Sequence, residues 1–181
     1  MPRPSRAKVR RIFIGVCGSI AAYKACLVVR ALTRAGCEVR VAMTANAQKF
    51  VGPMTLAALA KSPVVTDLMD PAQWDMAHLS LASWADRALV VPATADMLAR
   101  LAVGRAGGPI EAVVLSTKAP VFIAPAMDTE MWEHPATRAN AARLTGYGYH
   151  LLGPVSGPLA SGRVGMGRLL DPEEIVRRTL A

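Results

Sequence analysis

Three short segments place small residues and hydroxyl side chains directly after apolar runs. Gly18 and Ser19 stand in CGSIAA, Thr44 in MTANA, and Thr94 and Asp96 in PATAD. Residues of these types at the start of a helix present backbone N–H groups that can hold a phosphate. Each is also an ordinary helix cap, which is the more common role of any one such turn. Three of these turns in one small protein favour a shared ligand over three unrelated caps.

The ligand that suits these turns is a mononucleotide. The first turn is neither a G-x-G-x-x-G fingerprint nor a Walker A loop. The second apolar run continues into Thr44 and Ala45, whereas a dinucleotide fold usually places a carboxylate near that point to hold a ribose. Hydroxyl and backbone groups therefore indicate a single phosphate.

One histidine has the surroundings of a candidate general base. His78 lies in WDMAHLSLASWAD, among apolar residues at helical spacing. Imidazole accepts protons near neutral pH and is the side chain most often used for this purpose. A lone histidine on such a helix is more often structural, so both roles stay open. The three cysteines and the other histidines show no metal-binding spacing.

Two further segments contain residues that could contact a substrate. GPLASGRVGMGRLLD has four glycines between Gly157 and Gly167, with Ser161 among them and Arg163 and Arg168 close by. Such a segment could be a phosphate cradle, a catalytic loop or a connector, and its glycines would allow it to order over a ligand. In APAMDTEMW, a methionine could flank a planar ring and an aspartate could meet substrate, although methionine and tryptophan are equally common in cores.

Apolar runs and helical periodicity alternate along the chain. The predicted strands are residues 11–17, 38–43, 88–91, 121–124 and 149–152, and the predicted helices are residues 20–35, 54–61, 77–85, 95–103 and 135–145. This alternation predicts a parallel sheet covered by helices on both faces, a single Rossmann-like (flavodoxin-like) α/β domain. Ligands bind at the carboxyl ends of such strands, which is where the segments described above begin.

Length and composition limit the function classes. The chain of 181 residues, 52% of them hydrophobic, predicts one domain over residues 11–181 and a disordered basic tail over residues 1–10. No apolar run is long enough to span a membrane. The net charge of +8 is spread along the chain rather than clustered, so we expect no nucleic-acid partner. Three cysteines without a pairing pattern indicate a reducing compartment, the cytoplasm.

Five segments together resemble a known family. CGSIAAYK, HLSLASWAD, PATADMLARLAVG, APAMDTEMW and ASGRVGMGRLLDP, in this order and spacing, closely resemble the homo-oligomeric flavin-containing cysteine decarboxylases. That family includes phosphopantothenoylcysteine decarboxylases of coenzyme A synthesis and peptidyl-cysteine decarboxylases of lantibiotic-like peptides. The resemblance covers nearly the whole chain. It implies an FMN-binding decarboxylase domain in a homo-oligomer, either a trimer or a dodecamer of trimers, with FMN between subunits.

The resemblance also implies roles for individual residues. It implies FMN contacts for Gly18, Ser19, Ile20, Thr44, Pro92, Ala93, Thr94, Asp96 and Met127. It implies catalytic roles for His78 and Asp128, and substrate contacts for Asp128, Met131, Ser161, Gly162 and Arg168. In the implied chemistry, His78 deprotonates the thiol of a cysteine while hydride passes from its Cβ to the flavin. The resulting thioaldehyde loses CO2 and leaves an enethiolate.

One departure from the family concerns the second half of that reaction. In the coenzyme A enzymes the glycine segment resembles ACGxxGxGRM, and its cysteine protonates the enethiol as hydride returns. This chain has Ser161 there, and an alcohol is a much weaker acid than a thiol of pKa about 8.5. We therefore expect oxidative decarboxylation of a cysteine-terminated peptide to an aminoenethiol. The alternative within the same chemistry is a phosphopantothenoylcysteine decarboxylase.

A second departure lies in the segment PAMD, where the family has PAMN and the Asn is expected to contact the substrate carboxylate. At about 4 Å and an effective dielectric constant near 20, two like charges repel by about 4 kcal/mol. Asp128 must then be protonated, be paired with a cation or contact something else. If none of these holds, the alternative from another class is a non-catalytic FMN-binding regulatory subunit.

Overall fold

The structure, a computed structural model, describes residues 10–70 and 76–181. Its strands are β1 Arg11–Val16, β2 Glu38–Met43, β3 Val64–Val65, β4 Arg87–Ala93, β5 Val121–Pro125, β6 His150–Leu151, β7 Val155–Pro158 and β8 Val164–Arg168. Its helices are α1 Ala22–Arg34, α2 Pro53–Ala60, α3 Ala77–Trp84, α4 Ala95–Ala102, α5 Pro109–Ser116, α6 Thr129–Glu133, α7 Pro135–Gly146 and α8 Pro172–Leu180, with a short 3-10 helix at Ala47–Lys49.

Six of the strands form one parallel sheet in the order β3-β2-β1-β4-β5-β6. The order reverses between β1 and β4, and in open α/β sheets ligands bind outside the carboxyl ends of the strands at such a point. The predicted Rossmann-like (flavodoxin-like) α/β fold is therefore confirmed. Within the described residues, no helix is both long and apolar enough to cross a membrane.

The central strands are apolar on both faces because helices cover both sides of the sheet. Along β1, Ile12, Ile14 and Val16 pack into a cluster with α1, α2 and α8. The alternate residue Phe13, and Cys17 just after the strand, pack into a second cluster with α3, α4, α5 and α7. This alternation follows the twofold period of a strand. Burial on both sides holds the strand ends, and the turns that follow them, in fixed positions.

The glycine segment forms a hairpin rather than the flexible loop that its composition suggested. Strands β7 and β8 pair in an antiparallel two-stranded sheet outside the main sheet. The Met127 N–H donates to the Gly167 carbonyl oxygen at 3.0 Å. A Cβ atom at Gly167 would collide with the Met127 carbonyl oxygen, and its φ of 138° also favours glycine. The hairpin therefore rests directly on the segment after β5.

Several elements differ from the sequence prediction. The five predicted strands are present, but β3, α5, α6, α8 and the hairpin were not predicted. Helix α1 begins at Ala22 instead of residue 20, since the Ala21 N–H donates to the Ser19 hydroxyl oxygen in a turn that precedes it. The predicted disordered tail lies outside the described residues, except for its last residue.

Candidate functional site

A cavity of about 350 Å³ lies at the carboxyl ends of β1, β2 and β4. We call it the turn cavity. Its walls are the turns that follow these strands and the start of α4, contributed by Cys17, Gly18, Thr44, Ala45, Asn46, Thr94, Ala95, Asp96, Met97, Arg100 and Met131. Five of the predicted contact residues, Gly18, Thr44, Thr94, Asp96 and Met131, are thus brought together. Pro92 and Ala93 lie buried directly behind it at the end of β4.

Hydroxyl oxygens around this region cap their own turns. The Thr44 Oγ1 accepts from the Ala47 N–H at 3.1 Å, and the Thr94 Oγ1 accepts from the Met97 N–H at 3.2 Å. The Ser19 Oγ accepts from the Ala21 N–H at 3.2 Å. Only Thr94 has the helix-capping role weighed in the sequence, at the start of α4, whereas Ser19 and Thr44 bond within the turns that precede α1 and the 3-10 helix. A hydroxyl that accepts a bond keeps its own O–H, which can still donate to a ligand.

The turns after β1 and β2 touch each other across the cavity floor. A Cβ atom at Gly18 would lie 2.5 Å from the Asn46 Cβ and 2.8 Å from its carbonyl carbon. Only glycine permits this approach without a shift of the backbone. The requirement for glycine at this position is thus one of packing between two turns.

Asp96 is held at the cavity wall by a charge network. The Arg100 Nε donates to Asp96 and the Arg100 Nη1 donates to Glu111, each at 3.0 Å. Glu111 is only 1% exposed, so its charge depends on this arginine for compensation. The sequence contained no signal for this network beyond the spacing of four residues between Asp96 and Arg100.

The thiol in the turn cavity is inert. Burial raises the pKa of Cys17 to about 12, with smaller contributions from Glu111 and Asp96 against a backbone hydrogen bond from Thr94. A thiol with this pKa is neutral at physiological pH and is a poor nucleophile. Cys17 thus adds an apolar surface to the cavity and no negative charge.

A second cavity, of about 330 Å³, lies between the start of α1, the segment after β5 and the hairpin. We call it the hairpin cavity. It is lined by Ser19, Ile20, Ala21, Tyr23, Lys24, Ala126, Met127, Asp128, Pro158, Leu159, Ala160, Ser161, Gly167, Arg168 and Leu169. Six predicted contact residues, Ser19, Ile20, Met127, Asp128, Ser161 and Arg168, therefore share one space. Gly162, with a φ of 82°, follows Ser161 in the hairpin turn.

Asp128 is an anion in this cavity. Its pKa is lowered, first by a hydrogen bond with the Glu130 side chain, then by the Ser161 hydroxyl and by the backbone N–H groups of Thr129 and Glu130. Burial acts in the opposite direction but does not prevail. The Oδ1 atom is nevertheless buried without a partner. Protonation, one of the three possibilities left by the sequence, is therefore disfavoured, while contact with Ser161 is favoured.

The structure separates the two arginines of the glycine segment. Arg163 pairs with Glu130 on the exposed outer side of the hairpin. Arg168 lies across Gly157 of the neighbouring strand, since a Cβ atom there would come within 2.7 Å of the Arg168 Cδ, and it lines the hairpin cavity. Of the two, Arg168 is placed to meet a ligand in that cavity.

His78 is the predicted site residue that stands apart. It is the second residue of α3 and is partly buried, and it lines neither the turn cavity nor the hairpin cavity. Sequence reasoning missed Lys24, which lines the hairpin cavity. The helical register of α1 could have indicated it, since Lys24 lies four residues after Ile20, on the same face of the chain.

Comparisons with known proteins agree with this arrangement. A protein-family model described as Flavoprotein matches residues 2–181. The coenzyme A biosynthesis bifunctional protein CoaBC of Mycolicibacterium smegmatis is 48% identical over 166 residues, which is 92% of this chain and 40% of the relative. The chain spans about two fifths of the length of the curated relatives that it matches.

Two solved structures share the fold over nearly their whole length. A PPC decarboxylase mutant with a Cys-to-Ser change, complexed with pantothenoylaminoethenethiol, superposes with a TM-score of 0.87 at 28% identity, covering 94% of this chain and 96% of the other. The FMN-dependent cysteine decarboxylase SpaF superposes with a TM-score of 0.82 at 35% identity, covering 96% of each chain.

Proposed function

Because the chain belongs to the Flavoprotein family, we propose that it is an FMN-dependent cysteine decarboxylase that converts an amide-linked, C-terminal cysteine into an aminoenethiol. The hairpin cavity is the observation that carries this proposal. It gathers Met127, Asp128, Ser161 and Arg168 beside the turn that follows β1. These residues come from segments far apart in the sequence, and the fold brings them to one ligand-sized space.

The turn cavity has the donors that FMN needs. Thr44 and Thr94 keep hydroxyl protons to donate, the Gly18 turn presents backbone groups, and Met97 and Met131 supply apolar surface. Cys17 is neutral, and Arg100 offsets one of the two negative charges of Asp96 and Glu111, so the N–H and O–H donors of the turns must outweigh one net negative charge to hold a phosphate. When bound, FMN would accept the hydride from the cysteine Cβ.

His78 is proposed to deprotonate the cysteine thiol. Since it lines neither cavity of its own chain, we infer that a second copy supplies it, so that the site is complete only in a homo-oligomer. Ile20 in the turn before α1 supports this inference together with Tyr23 and Leu27 on α1, because all three are exposed apolar side chains and Ile20 and Tyr23 line the hairpin cavity. A trimer, or a dodecamer built from four trimers, is the proposed assembly.

Ser161 is proposed to leave the reaction at the aminoenethiol. Its hydroxyl donates to the anionic Asp128, and an alcohol in this setting does not release a proton to an enethiolate. The PPC decarboxylase mutant with a Cys-to-Ser change, found with pantothenoylaminoethenethiol, supports this view. It holds the same class of product that we propose here.

The relatives support phosphopantothenoylcysteine as the substrate more strongly than the peptide that Ser161 favoured in the sequence. CoaBC proteins match at 41–48% identity, and a PPC decarboxylase superposes closely. We therefore propose phosphopantothenoylcysteine as the substrate. A cysteine-terminated peptide is the second candidate, favoured by Ser161 and by the 35% identity to SpaF.

Anaerobic mixing of the FMN-loaded protein with each substrate tests the proposal. Flavin absorbance and product mass are followed together, with phosphopantothenoylcysteine in one series and a short peptide ending in cysteine in the other. Bleached flavin with a product that has lost CO2 and two hydrogens supports oxidative decarboxylation and identifies the substrate. Unchanged flavin in both series would contradict the proposal and favour the non-catalytic FMN-binding subunit.

A further inference from the structure

We propose that Lys24 and Arg168 form a carboxylate-binding pair in the hairpin cavity, where they hold the carboxylate of the substrate's cysteine opposite Asp128. This inference rests on the proposed function, since it names the group that the cavity recognises. Lys24 comes from the first turn of α1 and Arg168 from the end of β8. Both line the cavity that also contains Asp128 and Ser161.

Neither cation is neutralised by a neighbouring carboxylate. Within residues 10–70 and 76–181, the ion pairs involve Arg11, Arg100, Arg163, Arg177 and Arg178, and neither Lys24 nor Arg168 takes part in one. Although Asp128 lines the same cavity and its Oδ1 is buried without a partner, it does not pair with either cation. Two positive charges and one negative charge therefore face a space that is large enough for a ligand group between them.

The charge of this cavity fits a monoanion. Lys24 and Arg168 contribute two positive charges and Asp128 one negative charge, which leaves a single positive charge to be balanced. A carboxylate supplies one negative charge, and charge-assisted hydrogen bonds to lysine and arginine are the strong ones. The two cations thus offset the repulsion that Asp128 alone would exert on a substrate carboxylate.

The Arg168 side chain lies against the neighbouring strand. Its side chain lies over Gly157 on the neighbouring strand, with the Nη1 atom 2.9 Å from where a Cβ of that glycine would be. Any larger residue at position 157 would displace the guanidinium. Arg163, five residues earlier in the hairpin, is instead held by Glu130 on the exposed side. It therefore provides a matched control from the same hairpin.

Binding of an unreactive probe tests the pair directly. The first probe, N-acetyl-β-alanyl-serine, has a hydroxyl in place of the thiol, so it cannot enter the reaction. The second probe is the C-terminal primary amide of the same compound, which lacks the carboxylate. Calorimetric titration of the FMN-loaded protein gives the affinity ratio of the two probes. We expect the carboxylate to bind about tenfold more tightly or better, which corresponds to about 1.4 kcal/mol or more, and the preference to decrease with salt.

Variants then test whether the two side chains cause the preference for the carboxylate probe over the amide probe. Lys24→Gln and Arg168→Gln should each bring the ratio close to one, whereas Arg163→Gln and the conservative Lys24→Arg should keep it. Asp128→Asn should increase it, because the cavity then carries two uncompensated positive charges. Retained FMN stoichiometry and melting temperature show that each variant is folded. A ratio near one in the unmodified protein, or a ratio unchanged in both glutamine variants, would overturn the proposal.

This outcome is separable from that of the proposed function. If the probes show the preference and the variants remove it while no CO2 is released from either cysteine substrate, the carboxylate site stands and the decarboxylase assignment fails. If CO2 is released but the two glutamine variants keep the preference, the assignment stands and the carboxylate pair fails.

Discussion

The turn cavity and the hairpin cavity share the end of β1 but are built in different ways. The turn cavity is made by the turns after β1, β2 and β4, and its hydroxyls and its carboxylate have partners within those turns or in Arg100. The hairpin cavity is closed by a small sheet outside the main one, and it contains an unpartnered Asp128 oxygen and two cations outside any ion pair of the described residues. One cavity has its polar groups satisfied and the other does not.

This difference suits the two cavities to different tasks, cofactor binding in the turn cavity and substrate selection in the hairpin cavity. Turns at the ends of buried strands are fixed by the fold, and they provide neutral donors that suit a cofactor. The Asp128 Oδ1 is buried without a partner, and a buried polar atom without a hydrogen bond is costly, so the hairpin cavity is the better candidate for a ligand with polar or charged groups. We therefore expect changes in the turn cavity to affect cofactor binding, and changes in the hairpin cavity to affect the choice and fate of the substrate.

The largest expected effect comes from a residue that lies in neither cavity. His78→Asn should lower the rate of decarboxylation by about 10²–10⁴-fold, the usual contribution of a general base, while FMN still binds. Stopped-flow measurement of flavin bleaching gives the rate. His134→Asn is the matched control, because the His134 Nδ1 accepts the Ala136 N–H at the start of α7 and an asparagine side chain can cap the helix in the same way. A His78→Asn protein with an unchanged rate would show that the base lies in one of the two cavities.

The second-largest effects are expected from alanine substitutions at two glycines, one at each cavity. Gly18→Ala forces a Cβ against Asn46, and Gly167→Ala forces one against the Met127 carbonyl. Each should lower the free energy of unfolding by about 1–3 kcal/mol. Gly18→Ala should also weaken FMN binding, whereas Gly167→Ala should keep FMN and weaken the carboxylate probe. Denaturant unfolding and flavin fluorescence titration measure both effects.

Gly52→Ala serves as the control for these substitutions. Nothing lies within 4 Å of a Cβ at Gly52 and its φ is −66°, so alanine should be accommodated there. If Gly18→Ala and Gly167→Ala changed FMN and probe binding to the same extent, the division between the two cavities would be wrong.

A smaller effect is expected on the identity of the product. Ser161→Cys provides a thiol that is a far better acid than serine, although the adjacent anionic Asp128 should raise its pKa. Part of the product should then be heavier by two hydrogens, with flavin reoxidised without oxygen. Mass spectrometry of the anaerobic product measures the fraction. Ser156→Cys, on β7 outside the lining of the hairpin cavity, is the control, and an identical product from both variants would remove Ser161 from the reaction.

Five of the eight strands and five of the eight α-helices in the described residues could be predicted from the sequence, because their signal is local. Residues 11–17 and 38–43 are apolar runs that end in turn residues, and the structure places β1 and β2 there. The hairpin could not be predicted, since its strands VSGP and VGMGR are short and rich in glycine, and Gly167 is paired with the distant Met127. Helix α5 was missed because its first six residues are all buried, which removes amphipathic periodicity.

The sequence identified most residues of the candidate site, but it could not show how the fold divides them between two cavities. The turns and the PAMD segment identified residues at the strand ends, and most of them line the two cavities. Sequence spacing could not show that Arg163 points toward Glu130 while Arg168 lines a cavity. It also could not reveal Lys24, whose role depends on a hairpin more than a hundred residues away.

The smallest expected effect is the titration of Asp128. Its pKa lies below the ordinary value of 3.8 in the folded protein, so the stabilisation is fully present above pH 3.8. Below that pH the unfolded chain takes up the proton first, and the stabilisation is lost as the pH falls through the folded pKa. Asp128→Asn should therefore change the melting temperature at pH 6 more than at pH 3. Glu133→Gln is the control, because it removes an exposed carboxylate from α6, the helix that begins directly after Asp128. If Asp128→Asn changed the melting temperature equally at both pH values, the hairpin cavity would not hold Asp128 as an anion. The net single positive charge assigned to that cavity would then be wrong.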